Sequence, residues 1–398
     1  GNAITCWEAN VVPGYEITKL MANNDNKERD LSAAITPEAG SYYNITLDKD
    51  KGYTDDGQGN YTVTSAEGLK NIAKLVNEEW NLSIDITLTS DIDLSGIDWT
   101  PIGIDYNHRY AGTFDGNGKT ITGLTVTGSD QYAGLFGYID TGGKVKDVVL
   151  EGVQITSDNS SGYAGGVAGY CYRGTLENCS VSGSVSGSGS SSDVGGVVGY
   201  QTGGSITGCS SSATVKGTQR AGGMAGVTNN GATLTACYAT EDVTVERTPT
   251  NNTYAGGVVG FNGGGSTLIA CYATGSVTVT GDGTGSIYVG GVTGDNFAST
   301  LTACYHAAGT VSGPDGATGG VAGRNFKDSM FGGGIITACY WGGNGQEQGI
   351  GEDQVGTGET TMVTDDDWQT AVDAMNAALS GKGWQYELTG ALPTLKKQ

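Results

Sequence analysis

The sequence predicts an all-β protein: a right-handed parallel β-helix, or solenoid, with a capping helix at each end. Three observations carry that expectation. A glycine-rich stretch recurs as AGLFG (133–137), YAGGVAG (163–169), VGGVVG (194–199), AGGMAG (221–226), YAGGVVG (254–260), VGGVTG (289–294) and TGGVAG (318–323). The final glycines stand 32, 30, 27, 34, 34 and 29 residues apart, a spacing that marks a stacked repeat. Six of these copies are followed by a short run ending in cysteine, and then by Ser/Thr/Val alternation such as GSVTVT. A phosphate-cradling glycine loop occurs once and precedes a helix, so repetition with β-branched sequence after each copy argues for scaffold.

The cysteines define the register. Cys179, Cys209, Cys237, Cys271, Cys304 and Cys339 end LENC, ITGC, LTAC, LIAC, LTAC and ITAC, and Leu124 and Val148 end the equivalent ITGL and VKDV. A position that accepts Leu, Val or Cys is an apolar packing position, where a free thiol behaves as a small hydrophobe. A line of thiols also lacks the convergence that a metal site needs. Neighbouring rungs, about 4.8 Å apart, lie near enough for an occasional disulfide. Three strands per rung suit the period, and the right hand follows from the general rule for parallel crossovers.

In chain order, residues 1–60 hold no repeat and read as a small β extension or partial β-sandwich, with strands at ITKLMA and YYNITLDKD. Residues 61–362 read as an N-terminal cap and the β-helix, the coils running over about 85–360. The cap is SAEGLKNIAKLVNEEW, with Ser65 as N-cap and Leu69, Ile72, Ala73, Val76 and Trp80 on one face. The polar run 342–361 reads as a loop. Residues 363–398 supply the second cap, a helix carrying Trp368, Ala371, Val372, Met375 and Leu379 after a Thr364/Asp367 capping box, and GALPTLK returns as a strand against the last rung.

Composition narrows the function. The 398 residues include 70 glycines but only 6 prolines and no triplet period, which excludes collagen. Net charge is −22 with 20 Lys and Arg, which argues against nucleic acid and anionic membranes as partners. No stretch is long and apolar enough to span a bilayer. This acidity suits an exposed extracellular protein.

These units resemble the GLUG repeats of bacterial surface proteins, through AGLFG with its GGVVG variants, FDGNGKTITGLTV (114–126) and the closing LPTLK. The resemblance covers roughly 60–398 and implies an extracellular or outer-membrane surface-attached protein of a host-associated bacterium, such as a gut bacterium. Such repeats also accompany immunoglobulin A-specific metallopeptidases, but this chain has only His108 and His306 and no HExxH, so no zinc site carries over. EAGSYYNITLDKD (38–50) resembles the last strands of fimbrillin-like domains.

No catalytic constellation stands out. Asp91 and Asp93, Glu241 and Asp242, and Asp365, Asp366 and Asp367 are the carboxylate groupings, and each sits where turns and helix starts use acids. No cofactor is expected, apart from Ca²⁺ as a candidate at TDDGQGN (54–60) or GEDQ (351–354), which offer oxygen ligands. The expected role is adhesin-like, binding host or dietary glycans or a host surface protein. A polysaccharide lyase or hydrolase on the same scaffold and a purely structural stalk are the alternatives. The candidate binding residues are Tyr238, Tyr272, Tyr305 and Tyr340, which follow four consecutive ladder cysteines. With the cysteines inward, alternation turns these rings outward into an aromatic stripe, which either stacks on sugars or is supported and covered within the protein.

Overall fold

The computed structural model describes residues 14–22, 27–38, 51–128, 130–314, 316–329, 332–343, 345–364 and 367–398. Cys6, the expected strand at 42–50, and Asp365 and Asp366 lie outside the described residues. The chain divides into two compact units, Gly1–Lys51 and Gly52–Gln398. In the first, Ile17–Ala22 pairs antiparallel with Lys27–Ile35.

The second unit is the predicted all-β parallel solenoid, with a helix near each end of it. Each full coil uses four strands rather than three. In one coil these are Tyr163–Gly165, Ala168–Tyr172, Thr175–Glu177 and Ser180–Gly187. Stacking the coils gives four sheets, called I to IV in that order, of 7, 9, 11 and 14 strands. Tyr53–Asp55 and Asn60–Val63 pair with each other and extend sheet III, so residues 52–60 fold with the solenoid.

The fourth strand exists because the glycine-rich stretch is two strands folded on each other. Sheets I and II meet backbone to backbone: a methyl on Gly169 would stand 2.7 Å from Ala133 N and 2.8 Å from Tyr163 O. Only glycine allows that approach. At the corner between sheets III and IV, the residue before each ladder position takes a left-handed φ of 50–64°, as at Asp147, Asn178, Gly208, Ala236, Ala270, Ala303 and Ala338. Gly, Asn and Asp tolerate this geometry, whereas alanine accepts strain there.

Inside, Val148 and the six ladder cysteines form one buried column, and the cysteines are free thiols. Leu124 is buried but does not continue that column as expected. Thr120 pairs with Val149 and Thr125 with Gln154, so Leu124 is level with Val153 and Lys119 stands at the ladder position, because the first coil turns its corner earlier, at Asn117 and Gly118. Burial pushes the Cys209, Cys271 and Cys339 thiols well up. Cys171 belongs to a second column, in sheet II, which continues as Gln201, Thr228, Asn262, Asn296, Asn325 and Asp353. Along it Thr228 Oγ1 donates to Asn262 Oδ1 (2.8 Å), Asn262 Nδ2 to Asn296 Oδ1 (2.9 Å), Asn296 Nδ2 to Asn325 Oδ1 (3.0 Å) and Asn325 Nδ2 to Asp353 Oδ1 (3.1 Å). The amide row therefore runs in one direction and ends on a carboxylate.

Helix α1, Ala66–Asn77, starts at Ser65, whose Oγ accepts Gly68 N–H at 3.2 Å. It buries Leu69, Ile72, Ala73 and Val76 against the first coils. Trp80 departs from the expected face: the helix stops before it, and the ring is exposed. Helix α2, Trp368–Ala378, has Asp367 as N-cap with no side-chain capping bond, so the Thr364/Asp367 box does not form. It lies against the outer face of sheet IV, because its apolar face meets the tyrosines there. The final Thr394–Lys397 pairs antiparallel with Trp384–Glu387 instead of with the last rung. The run 342–361 adds strands to the stack, at Ile350–Asp353 in sheet II and, overlapping its end, Thr360–Met362 in sheet IV.

Candidate functional site

The four tyrosines after the ladder cysteines do turn outward, and Tyr238, Tyr272 and Tyr305 stack in register. Tyr238 and Tyr272 have centroids 5.0 Å apart and Tyr272 and Tyr305 4.8 Å apart, with interplanar angles of 5° and 4°. They do not form an open stripe. Tyr272, Tyr305 and Tyr340 are buried with Trp368, Met375, Leu379 and Tyr386 of the C-terminal segment. Tyr305 Oη donates to Pro393 O, and Tyr386 Oη donates to Ala303 O at 3.0 Å. The physical reason is that a flat row of rings is itself the best apolar surface for α2 to bury. Tyr238 alone stays half-buried, beside a shallow 370 Å³ groove lined by serines 180, 182, 210, 211 and 212.

The open aromatic surface lies elsewhere, at the N-terminal coils. Trp80 is 59% exposed and Tyr106 is 62% exposed. Trp80 also takes a φ of 61°, where Asn81 N–H bonds back to Leu75 O at 3.0 Å as the chain leaves α1. Glycine commonly fills such a place; a bulky residue there is strained. Its ring lies 4.4 Å from that of His108, whose Nδ1 is 2.9 Å from Asp105 Oδ1. The segment 104–110 that carries Tyr106 is pinned at both ends. Buried Asn77 bonds Pro101 O and Gly103 N, both at 2.8 Å, and Tyr110 Oη donates to Ile84 O at 3.0 Å. A cleft of about 390 Å³ opens beside it, lined by Pro101, Ile104, Asp105, Asp130, Gln131 and Tyr132.

From Tyr132 an aromatic row continues along the mouth between sheets I and II. Tyr132 stacks on Tyr163 (5.5 Å), Tyr138 on Tyr170 (4.9 Å) and Tyr170 on Tyr200 (5.1 Å). Arg109 lies over Tyr106 at 4.4 Å and pairs with Asp140 at 3.3 Å. Planar faces with nearby carboxylates, an amide and a guanidinium can stack on the C–H face of a sugar while its hydroxyls find donors and acceptors. The sequence carries a signal for this row that the cysteine-based reading passed over. Tyrosine recurs just before and just after the glycine stretch, as at Tyr132, Tyr138, Tyr163, Tyr170 and Tyr200.

The carboxylates singled out from sequence hold local structure. Asp91 accepts Thr120 N–H (2.9 Å), Asp93 accepts Ser95 N–H (2.9 Å) and Asp242 accepts Ser276 N–H (2.7 Å). In the two calcium candidates, Asp56 takes the N–H groups of Gln58 and Asn60, and Asp353 those of Val355 and Gly356. Partial burial pushes the Asp353 carboxyl up, but these donors and Asn325 hold it below the usual carboxylate range. Among the described residues, no group of three or more His, Cys, Asp or Glu is placed to hold a metal ion, and no helix is long and apolar enough to cross a membrane.

The two-strand glycine fold has a sequence counterpart: residues 190–216 and 251–280 match the family described as the GLUG motif. This chain carries the GLUG motif. Each matched stretch includes a glycine arch or the strands leading into one. A "Putative Gly-rich membrane protein" of Evansella cellulosilytica is 36% identical over 124 residues, 30% of this chain and 14% of that protein. Halomucin of Haloquadratum walsbyi is 29% identical over 173 residues, 39% of this chain and 2% of that protein. The GLUG chain thus spans a small part of these curated relatives. A solved chain from Bacteroides ovatus, described as a "putative immunoglobulin A1 protease", superposes with a TM-score of 0.52 at 19% identity. The match covers 86% of this chain and 93% of that one, and it bears on the fold alone.

Proposed function

We propose that this GLUG solenoid is a secreted or surface-attached adhesin-like module that binds glycans, without cleaving them, on the platform of Trp80, Tyr106 and Tyr132. The observation that carries the reading is Trp80, which is exposed and held at a left-handed φ. Packing does not explain a strained tryptophan in solvent, and strain of this kind concentrates at functional sites. Rings, an adjoining cleft and a pinned loop support a preformed sugar site. The acidic composition supports an extracellular setting, as do relatives named as a membrane protein and a halomucin.

The test is a glycan-array screen run beside a polysaccharide depolymerisation assay. Binding by the wild type should vanish in the Trp80→Gly, Tyr106→Ala double variant while the melting transition stays cooperative. Retained binding in that folded variant removes the platform, and release of oligosaccharide products replaces adhesion with hydrolysis or elimination.

A further inference from the structure

Two and three rungs beyond Tyr132, the aromatic mouth is interrupted by a charged pair. In sheet I the column reads Tyr132, Tyr163, Asp193, Arg220, Tyr254 and Tyr288, residue over residue. In sheet II it reads Tyr138, Tyr170, Tyr200, Val227 and Phe261. Across the mouth Tyr163 meets Tyr200 at 5.7 Å and Tyr254 meets Phe261 at 5.4 Å. Val227 is fully buried and offers no ring, so Arg220 sits in a gap with aromatic walls on both sides.

The pair in that gap is only half used. Arg220 Nε donates to Asp193 Oδ1 at 2.6 Å, with the arginine side chain 27% exposed and the aspartate 1%. The other carboxylate oxygen, Asp193 Oδ2, is buried without a partner. The equivalent pair further along differs: Arg324 grips Asp295 with both Nε (3.1 Å) and Nη2 (2.5 Å), and its Nη1 donates to Tyr288 Oη (2.9 Å). There the guanidinium is consumed. At Arg220 the bond to Asp193 is made through Nε, which leaves the Nη1/Nη2 edge, a second edge that fits a carboxylate in parallel bonds.

We infer that Arg220, positioned by Asp193, is a subsite for the carboxylate of an acidic sugar whose ring lies against the tyrosines flanking the gap. This rests on the glycan-binding reading and extends it. The span from Tyr132 to Arg220 is three rungs, about 14 Å, the reach of a short oligosaccharide. The net charge of −22 opposes an extended polyanion, so the ligand class is a glycan bearing a single acidic residue. The aromatic walls favour that over an acidic peptide.

The experiment compares matched probes by calorimetry at fixed salt: 3′-sialyllactose against lactose, and a glucuronic acid-terminated disaccharide against its glucose counterpart. The wild type should bind at least one acidic member about tenfold more tightly than its neutral match. Arg220→Ala strands the buried Asp193 carboxylate, so the neutral pair Asp193→Asn, Arg220→Gln is made beside it. In whichever variant folds, the acidic preference should be lost while affinity for the neutral probe persists. Equal wild-type affinity within each pair, or a preference that survives the double variant, overturns the subsite and leaves the platform standing. No binding of either probe type overturns both, and binding of a carboxylate-rich peptide at Arg220 replaces the sugar with a protein partner.

Discussion

Gly291 stands against His306. A methyl on Gly291 would come 2.5 Å from His306 Cβ and would also strike the Gly320 carbonyl. The relation repeats between the second glycine of other arches and the residue two beyond a ladder cysteine. Gly257 faces Ala273 Cβ at 2.7 Å, and Gly320 faces the Trp341 ring, 2.7 Å from its Cδ2. The glycine therefore makes room inside the core for a side chain of any size from Ala to Trp.

Gly291→Ala should lower stability by about 3 kcal/mol, the upper range for overpacking, because a backbone carbonyl is among the atoms struck. Adding His306→Ala should recover only part of that, since Gly320 O and the β-carbon at 306, which alanine keeps, remain in place. Urea unfolding of the two variants checks this; full recovery would assign the whole clash to the imidazole.

His306 is fully buried and its Nε2 lies 2.9 Å from Gly275 O. Burial lowers its pKa to about 4 from 6.5. A base whose folded pKa is depressed gives stability that is present above the unfolded value and lost as pH falls towards the folded one. The loss should reach about 2 kcal/mol at pH 5. Asp193 acts in the opposite sense, because burial, partly offset by Arg220, raises it to about 6 from 3.8, and its contribution falls as pH rises through that window. Going from pH 7.5 to 5.0, His306→Ala should gain about 2 kcal/mol relative to the wild type in denaturant unfolding, because the Asp193 contribution is then unopposed; an identical pH response in the two proteins contradicts the assignment.

Asn296 both accepts from Asn262 and donates to Asn325 within the core. Asn296→Leu strands one donor and one acceptor, at about 3 kcal/mol for the two. Thermal unfolding should register a large drop in Tm, whereas the exposed Thr214→Leu should move it little.

Trp80→Gly should raise stability by about 1 kcal/mol while abolishing glycan binding. Glycine relieves the left-handed strain, against a smaller loss from the greater freedom of the unfolded chain. Denaturant melts and the glycan array read the two effects separately. A destabilised variant would mean that the indole contributes packing, and its strain would no longer point to function.

The sequence alone determined the coil. The period, the inward apolar ladder from Val148 to Cys339 and the outward turn of the following tyrosines are consequences of strand alternation, which is local. Helix α1 was also legible from its 3.6-residue pattern and Ser65, up to the point where the chain left that phase and freed Trp80. Tertiary structure decided what covers what. Nothing near Tyr305 in sequence announces that Pro393, 88 residues on, receives its hydroxyl, or that α2 spends its apolar face on the tyrosine row. Likewise, Asp193 and Arg220 are 27 residues apart and meet only because one coil stacks on the next. Burial and pairing between distant segments depend on which surfaces find each other, and the rings that alternation pointed outward were the most apolar surface available.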